Sequence, residues 1–155
     1  MKFIKTTALL SFFVSFILIA CEKEAEVKKT KVYSKSGIIM SGAQETPPNP
    51  TSATGTLDVI YDKRTKVLTY TIKYSGLTGP VTGAHIHSRA PVGYQTGIVQ
   101  PFIGFPTTTA GTYSGSLLAD EVFIKEEDLL NGLYYANIHT ALYPGGEIRG
   151  QIKFQ

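Results

Sequence analysis

The chain has 155 residues, with 15 Lys plus Arg against 12 Asp plus Glu, three histidines and a single cysteine. Two of the lysines, Lys2 and Lys5, lie at the extreme N-terminus, and without them the balance is near neutral, which offers no electrostatic footprint for nucleic acid. One cysteine cannot close an intramolecular disulfide, so the fold has to be held by an apolar core.

In chain order the first element is "MKFIKTTALLSFFVSFILIAC" (Met1–Cys21): a cationic start, an apolar run from Ala8 to Ala20, then the cysteine. An apolar segment this short, behind basic residues and ahead of a small one, reads as a secretory signal rather than a membrane span. The alternative is an uncleaved anchor helix carrying an incidental cysteine. "LIAC" (Leu18–Cys21) resembles the bacterial lipobox. That resemblance implies removal of residues 1–20, a diacylglyceryl group on Cys21 and further acylation, such as palmitate, on the new amino terminus. Two or three acyl chains make a firm membrane anchor, at about 0.8 kcal/mol per buried methylene. The expected location is the bacterial cell envelope, at the outer membrane and facing either the periplasm or the surface, because Glu22 does not resemble an inner-membrane retention signal. "EKEAEVKKTKVYSK" (Glu22–Lys35) is highly charged and poor in large apolar residues, so residues 21–35 are expected to be the lipidated cysteine and a solvated tether.

Residues 36–155 suit one domain with one core. After "GIIMSGA", the segment "TGTLDVIYD" alternates Leu57, Val59 and Tyr61 with polar neighbours. Across the polar turn "DKRTK", "KVLTYTIKYSGL" puts Leu68, Tyr70, Ile72 and Tyr74 on one face. Further strands are expected at "TGAHIHS", "TGIVQPF", "GTYSGSLL", "LYYANIHT" and "GEIRGQIKF". Only "KEEDLLNG" reads as helix, closed by Gly132, with Glu126, Glu127 and Asp128 as a solvated face. The pattern predicts an all-β fold, an antiparallel sandwich or barrel with one short helix. The tyrosines Tyr70, Tyr74, Tyr134, Tyr135 and Tyr143 are expected in its core and rim. "PGG" (Pro144–Gly146) reads as a turn between the last two strands.

Four blocks, "SGAQETPPNPTSATGT" (Ser41–Thr56), "GAHIHSRAPVGYQTGIV" (Gly83–Val99), "LLNGLYYANIHT" (Leu129–Thr140) and "PGGEIRGQI" (Pro144–Ile152), occur in this order. Together they resemble the CHRD domain, named after chordin, over residues 36–155. The resemblance implies an immunoglobulin-like or superoxide-dismutase-like β-sandwich and little about activity. The loop after the histidine pair departs from many members in being bulkier, through Arg89, Pro91, Tyr94 and Gln95.

The three histidines carry the functional question. On a strand His85 and His87 project from one face, with Ala84 and Ile86 on the other. If the "YYANIHT" strand runs nearby, His139 completes a three-imidazole set suited to Zn2+, Cu2+, Ni2+ or Fe2+, with geometry choosing among them. Copper–zinc superoxide dismutases also carry a His-x-His on a sandwich strand, but this chain lacks their fuller histidine set. The competing reading is a structural polar cluster of the histidines with Glu45, Glu147 and Arg149, in which Arg149 forks onto Glu45. Glu45 is alternatively a metal ligand. No nucleophile pattern accompanies these residues, so no catalytic residue is assigned. The leading expectation is a non-enzymatic, lipid-anchored module that meets an extracellular protein or matrix partner or serves as structure; the alternative is a copper- or zinc-binding protein using the three histidines.

Overall fold

In the computed structural model, which describes residues 31–155, the chain runs through β1 (Val32–Ser41), β2 (Thr54–Asp62), β3 (Val67–Ser75), β4 (Val81–His87), β5 (Ile98–Pro101), β6 (Gly111–Leu118), the helix α1 (Glu126–Leu130), β7 (Tyr135–Thr140) and β8 (Ile148–Gln151). The expected signal at 1–20, the lipidation site Cys21 and the tether up to residue 30 lie outside the described residues. Among the described residues no helix is long and apolar enough to cross a membrane.

The alternation in sequence becomes burial. On β2 and β3 the inward Leu57, Val59, Tyr61, Leu68, Tyr70, Ile72 and Tyr74 are all buried, while Ile60, Thr69 and Lys73 are exposed. Each fully buried Leu, Ile or Val side chain contributes about 1.5–3 kcal/mol. The β2–β3 ladder is unbroken from Thr54↔Ser75 to Asp62↔Val67. The tyrosines follow suit: Tyr134 and Tyr135 are buried and Tyr143 is half-buried.

All eight strands pair antiparallel in one sheet of order β5-β4-β7-β8-β1-β2-β3-β6. The sheet curls until its edges approach. Gln100 on β5 donates to the Ser116 carbonyl on β6 at 3.1 Å, and Phe102 packs against Tyr70 and Tyr113 at 5.2 Å between ring centroids. The result is an antiparallel β-sandwich closed nearly into a barrel, in agreement with the all-β expectation.

Two features differ from the sequence reading. β1 starts at Val32 rather than Gly37, and Val32–Lys35 pair with Asp62–Val59 of β2, so these four residues are strand and not tether. Their charged and polar outer face hid them. The register then slips between Lys35 and Ile38, where Gly37 takes φ +68° and its N–H donates to Asp58 at 2.7 Å, the pattern of a β-bulge. The acidic face of α1 is also less solvated than expected. Glu126 accepts from Tyr61 at 2.7 Å and pairs with Lys63 at 2.8 Å, and Asp128 meets Arg89 at 3.4 Å. Tyr61 of β2 and Lys63 just after that strand reach α1, a tertiary contact that a charge pattern along one helix cannot reveal.

A polar layer on the outer face is what positions the site. β7 and β8 are covered on both sides. Ala136, Ile138 and Ile148 point to the core, and Tyr135, Asn137, His139, Arg149 and Gln151 alternate to the other face. Residues 88–97 lie over that face, and their backbone carbonyls are satisfied from it. Arg149 donates to the carbonyls of Tyr94 and Pro91, Gln151 to that of Ala90 and His87 to that of Thr96.

Candidate functional site: a three-histidine cluster

β7 runs antiparallel beside β4, with Gly83↔His139, His85↔Asn137 and His87↔Tyr135 as opposed pairs. This register brings all three histidines to one face. One ring nitrogen from each of His85, His87 and His139 lies within 4.8 Å of the others. The glycine at position 83 is part of the arrangement: a Cβ there would lie 3.0 Å from His85 Cε1 and 3.2 Å from Nε2, so its absence gives the His85 ring its place.

The rings are oriented from behind. His87 Nδ1 lies 2.9 Å from the Thr96 carbonyl, and His139 Nδ1 lies 2.9 Å from the Pro144 carbonyl. A carbonyl only accepts, so both Nδ1 atoms carry the proton and both Nε2 atoms of the neutral rings present lone pairs inward. His85 Nδ1 stands 3.3 Å from His139 Nε2. Backbone carbonyls fixing the far nitrogen are the usual outer support of a metal-ligating imidazole. His87 also lies flat against Tyr135, 4.6 Å between centroids with 2° between planes.

The surroundings of His85 and His139 favour their neutral forms. Burial, joined by the charges of His139 and His87, drives the His85 imidazole down to about 4. Burial also lowers His139, against the opposing bond to Pro144. Neutral imidazoles bind a cation with no proton to displace.

The three residues expected to form one polar cluster are all buried but do not form one. Glu147 accepts from Thr51, from the backbone and hydroxyl of Thr78, and from Thr140, at 2.6–2.9 Å. Burial pushes its carboxyl up, and these hydrogen bonds outweigh that and hold it below the ordinary value. Arg149 does not fork onto Glu45. Its Nη atoms donate to Tyr94, Pro91 and Gln151 at 2.8–3.1 Å, and its guanidinium lies 3.4 Å from the centroid of the Tyr135 ring. The loop carbonyls and the ring are the planar cation's partners, which the sequence could not place because they come from residues 91–94 of a distant connection.

Glu45 instead meets Asn137, and burial lifts its carboxyl to about 7 against the pull of Arg149 and of the Asn137 hydrogen bond. Asn137 is the residue that sequence reasoning missed. Its Oδ1 lies 3.0 Å from His87 Nε2 and 3.0 Å from His139 Nε2. The signal was present, since Asn137 and His139 share a face two residues apart on one strand.

The geometry defines a class: an antiparallel, nearly closed β-sandwich whose outer face holds a three-histidine cluster beneath a covering loop. The chain belongs to the CHRD family, whose domain model matches residues 37–152. No curated protein and no solved structure matches it.

Proposed function

We propose that this CHRD-domain protein is a cell-envelope lipoprotein that holds one late first-row divalent ion, Zn2+ or Cu2+, between His85, His87 and His139. The observation that carries the reading is the convergence of three ring nitrogens within 4.8 Å, two of them aimed inward by carbonyls behind the ring. A separation of 3.3 Å between His85 Nδ1 and His139 Nε2 fits the edge of a tetrahedron with metal–nitrogen distances of about 2.0–2.1 Å. Imidazole nitrogens suit these ions and not Mg2+ or Ca2+, which take oxygen ligands. The motif Leu18–Cys21 supports the lipid anchor, and the near-neutral composition supports a partner other than nucleic acid.

Metal analysis and titration test the ion. The metal-stripped chain should take up one equivalent of Zn2+ or Cu2+ and gain about 2.7 kcal/mol of stability at a free ion concentration a hundredfold above Kd. His87→Ala should abolish uptake. If the wild-type chain takes up no ion and His87→Ala merely lowers the melting temperature, the histidines only fasten the 88–97 and 141–147 connections to the sheet.

A further inference from the structure

Resting on that ion site, we propose that Asn137 completes it as a fourth, oxygen ligand, and that Glu45 is the positioning residue that keeps the amide turned for ligation.

The distances lead to this assignment. A tetrahedral ion with ligand bonds of about 2.0–2.1 Å has neighbouring donors about 3.3 Å apart. Asn137 Oδ1 stands 3.0 Å from His87 Nε2 and 3.0 Å from His139 Nε2, and His85 Nδ1 stands 3.3 Å from His139 Nε2. Three of the six edges of such a tetrahedron are therefore nearly in place. His85 is half-buried, and rotation of its ring is the adjustment that closes the rest.

The chemistry points the same way. With Nδ1 of His87 and of His139 protonated toward carbonyls, their two Nε2 lone pairs face the amide oxygen, and three acceptors meet with no proton between the oxygen and either nitrogen. Acceptors this close repel unless a proton or a metal ion lies among them. The two ends of the amide are told apart from behind, because its nitrogen lies on the side of the buried Glu45 carboxyl, both bordering the space beside Gly146. Turning the amide over would set Oδ1 against that carboxyl, which repels it when ionised. Gly146, at φ +125°, makes the arrangement fit, since a Cβ there would lie 2.6 Å from the Glu45 carboxyl carbon and 2.8 Å from Asn137 Nδ2. An acceptor on the amide nitrogen also draws electron density toward Oδ1 and strengthens it as a donor to the ion.

The test uses the purified full-length chain, stripped of metal and titrated with Zn2+, and with Co2+ as a probe whose visible absorption is intense when four-coordinate and weak when six-coordinate. The wild type should give the intense spectrum. Asn137→Ala should bind Zn2+ at least tenfold more weakly and lose that intensity. Asn137→Asp, which keeps an oxygen at the same reach, should bind at least as tightly as wild type and retain the spectrum; it decides the matter if the alanine variant does not fold. Glu45→Leu should weaken binding about 10–100-fold, and Glu45→Gln, which keeps an acceptor oxygen, should restore it. Wild-type binding together with an Asn137→Ala variant of equal affinity and unchanged spectrum overturns the assignment while leaving the histidine site intact. So does an Asn137→Asp variant that is folded and does not bind. Failure of the wild type itself to bind removes the ion site, and the fourth ligand with it.

Discussion

Glu45 and His85 lie in one polar layer and carry opposite pH dependences. Burial raises the Glu45 carboxyl from 4.5 to about 7, so the folded state holds its proton more tightly than the unfolded chain does. Relative to a neutral side chain, that contribution to stability is complete below about 4.5 and fades as pH rises through 7. His85 falls from 6.5 to about 4, so the unfolded chain binds its proton more readily. Its contribution is complete above about 6.5 and fades as pH falls through 4. Urea unfolding of the metal-free protein should separate the two. Relative to wild type, Glu45→Gln should gain stability as pH rises from about 4.5 to 7. His85→Asn should gain relative stability as pH falls from about 6.5 to 4. Parallel curves for a variant and the wild type would exclude the assigned residue as the source.

At the scale of elements, β4 and β7 together make the cluster, and a glycine decides how well. Gly83 faces His139 across the ladder and lies under the His85 ring. A methyl group at 3.0–3.2 Å from that ring pushes it by a few tenths of an ångström while leaving the ladder's hydrogen bonds in place. Gly83→Ala should therefore lower affinity for Zn2+ several-fold with little change in the urea midpoint, since metal sites depend on ligand placement to within about 0.5 Å. A variant with wild-type affinity would mean that the His85 ring is free to relocate. β8 shows the complementary case. Ile148 packs the core while Arg149 and Gln151, two residues apart on the opposite face, are equally buried, because residues 88–97 cover that side with carbonyls that need donors.

For the whole molecule, the compact unit spans Val32–Gln155 and holds its own apolar core, from Met40 to Ile152. Among the described residues no helix is long and apolar enough to cross a membrane; the membrane attachment proposed above is a lipid on Cys21. One acyl chain gives only marginal, reversible binding and two or more give stable anchoring. Labelled palmitate fed to expressing cells should appear on the wild-type protein and not on Cys21→Ser, and the variant should move from the membrane fraction to the soluble one. A variant that stays with membranes would show that something other than this thiol retains the protein.

Much of the fold was legible because burial on one side of a strand imposes a period of two. Leu68, Tyr70, Ile72 and Tyr74 announce β3, and the HIH spacing by itself places His85 and His87 on one face. The family resemblance stood on ordered blocks of residues in the same way. Local pattern could not say that Val32–Lys35 extend β1, because those residues are ordered by pairing with a strand some 25 positions away. Nor could it choose a partner for Arg149, or reveal that Asn137 faces two imidazoles with Glu45 behind it. Side-chain period is a property of one strand. Which strands lie side by side, in what register and under which loop, is settled only when the sheet curls and covers its own outer face. In this protein that step brings a His-x-His pair, a distant histidine and an asparagine into one cluster.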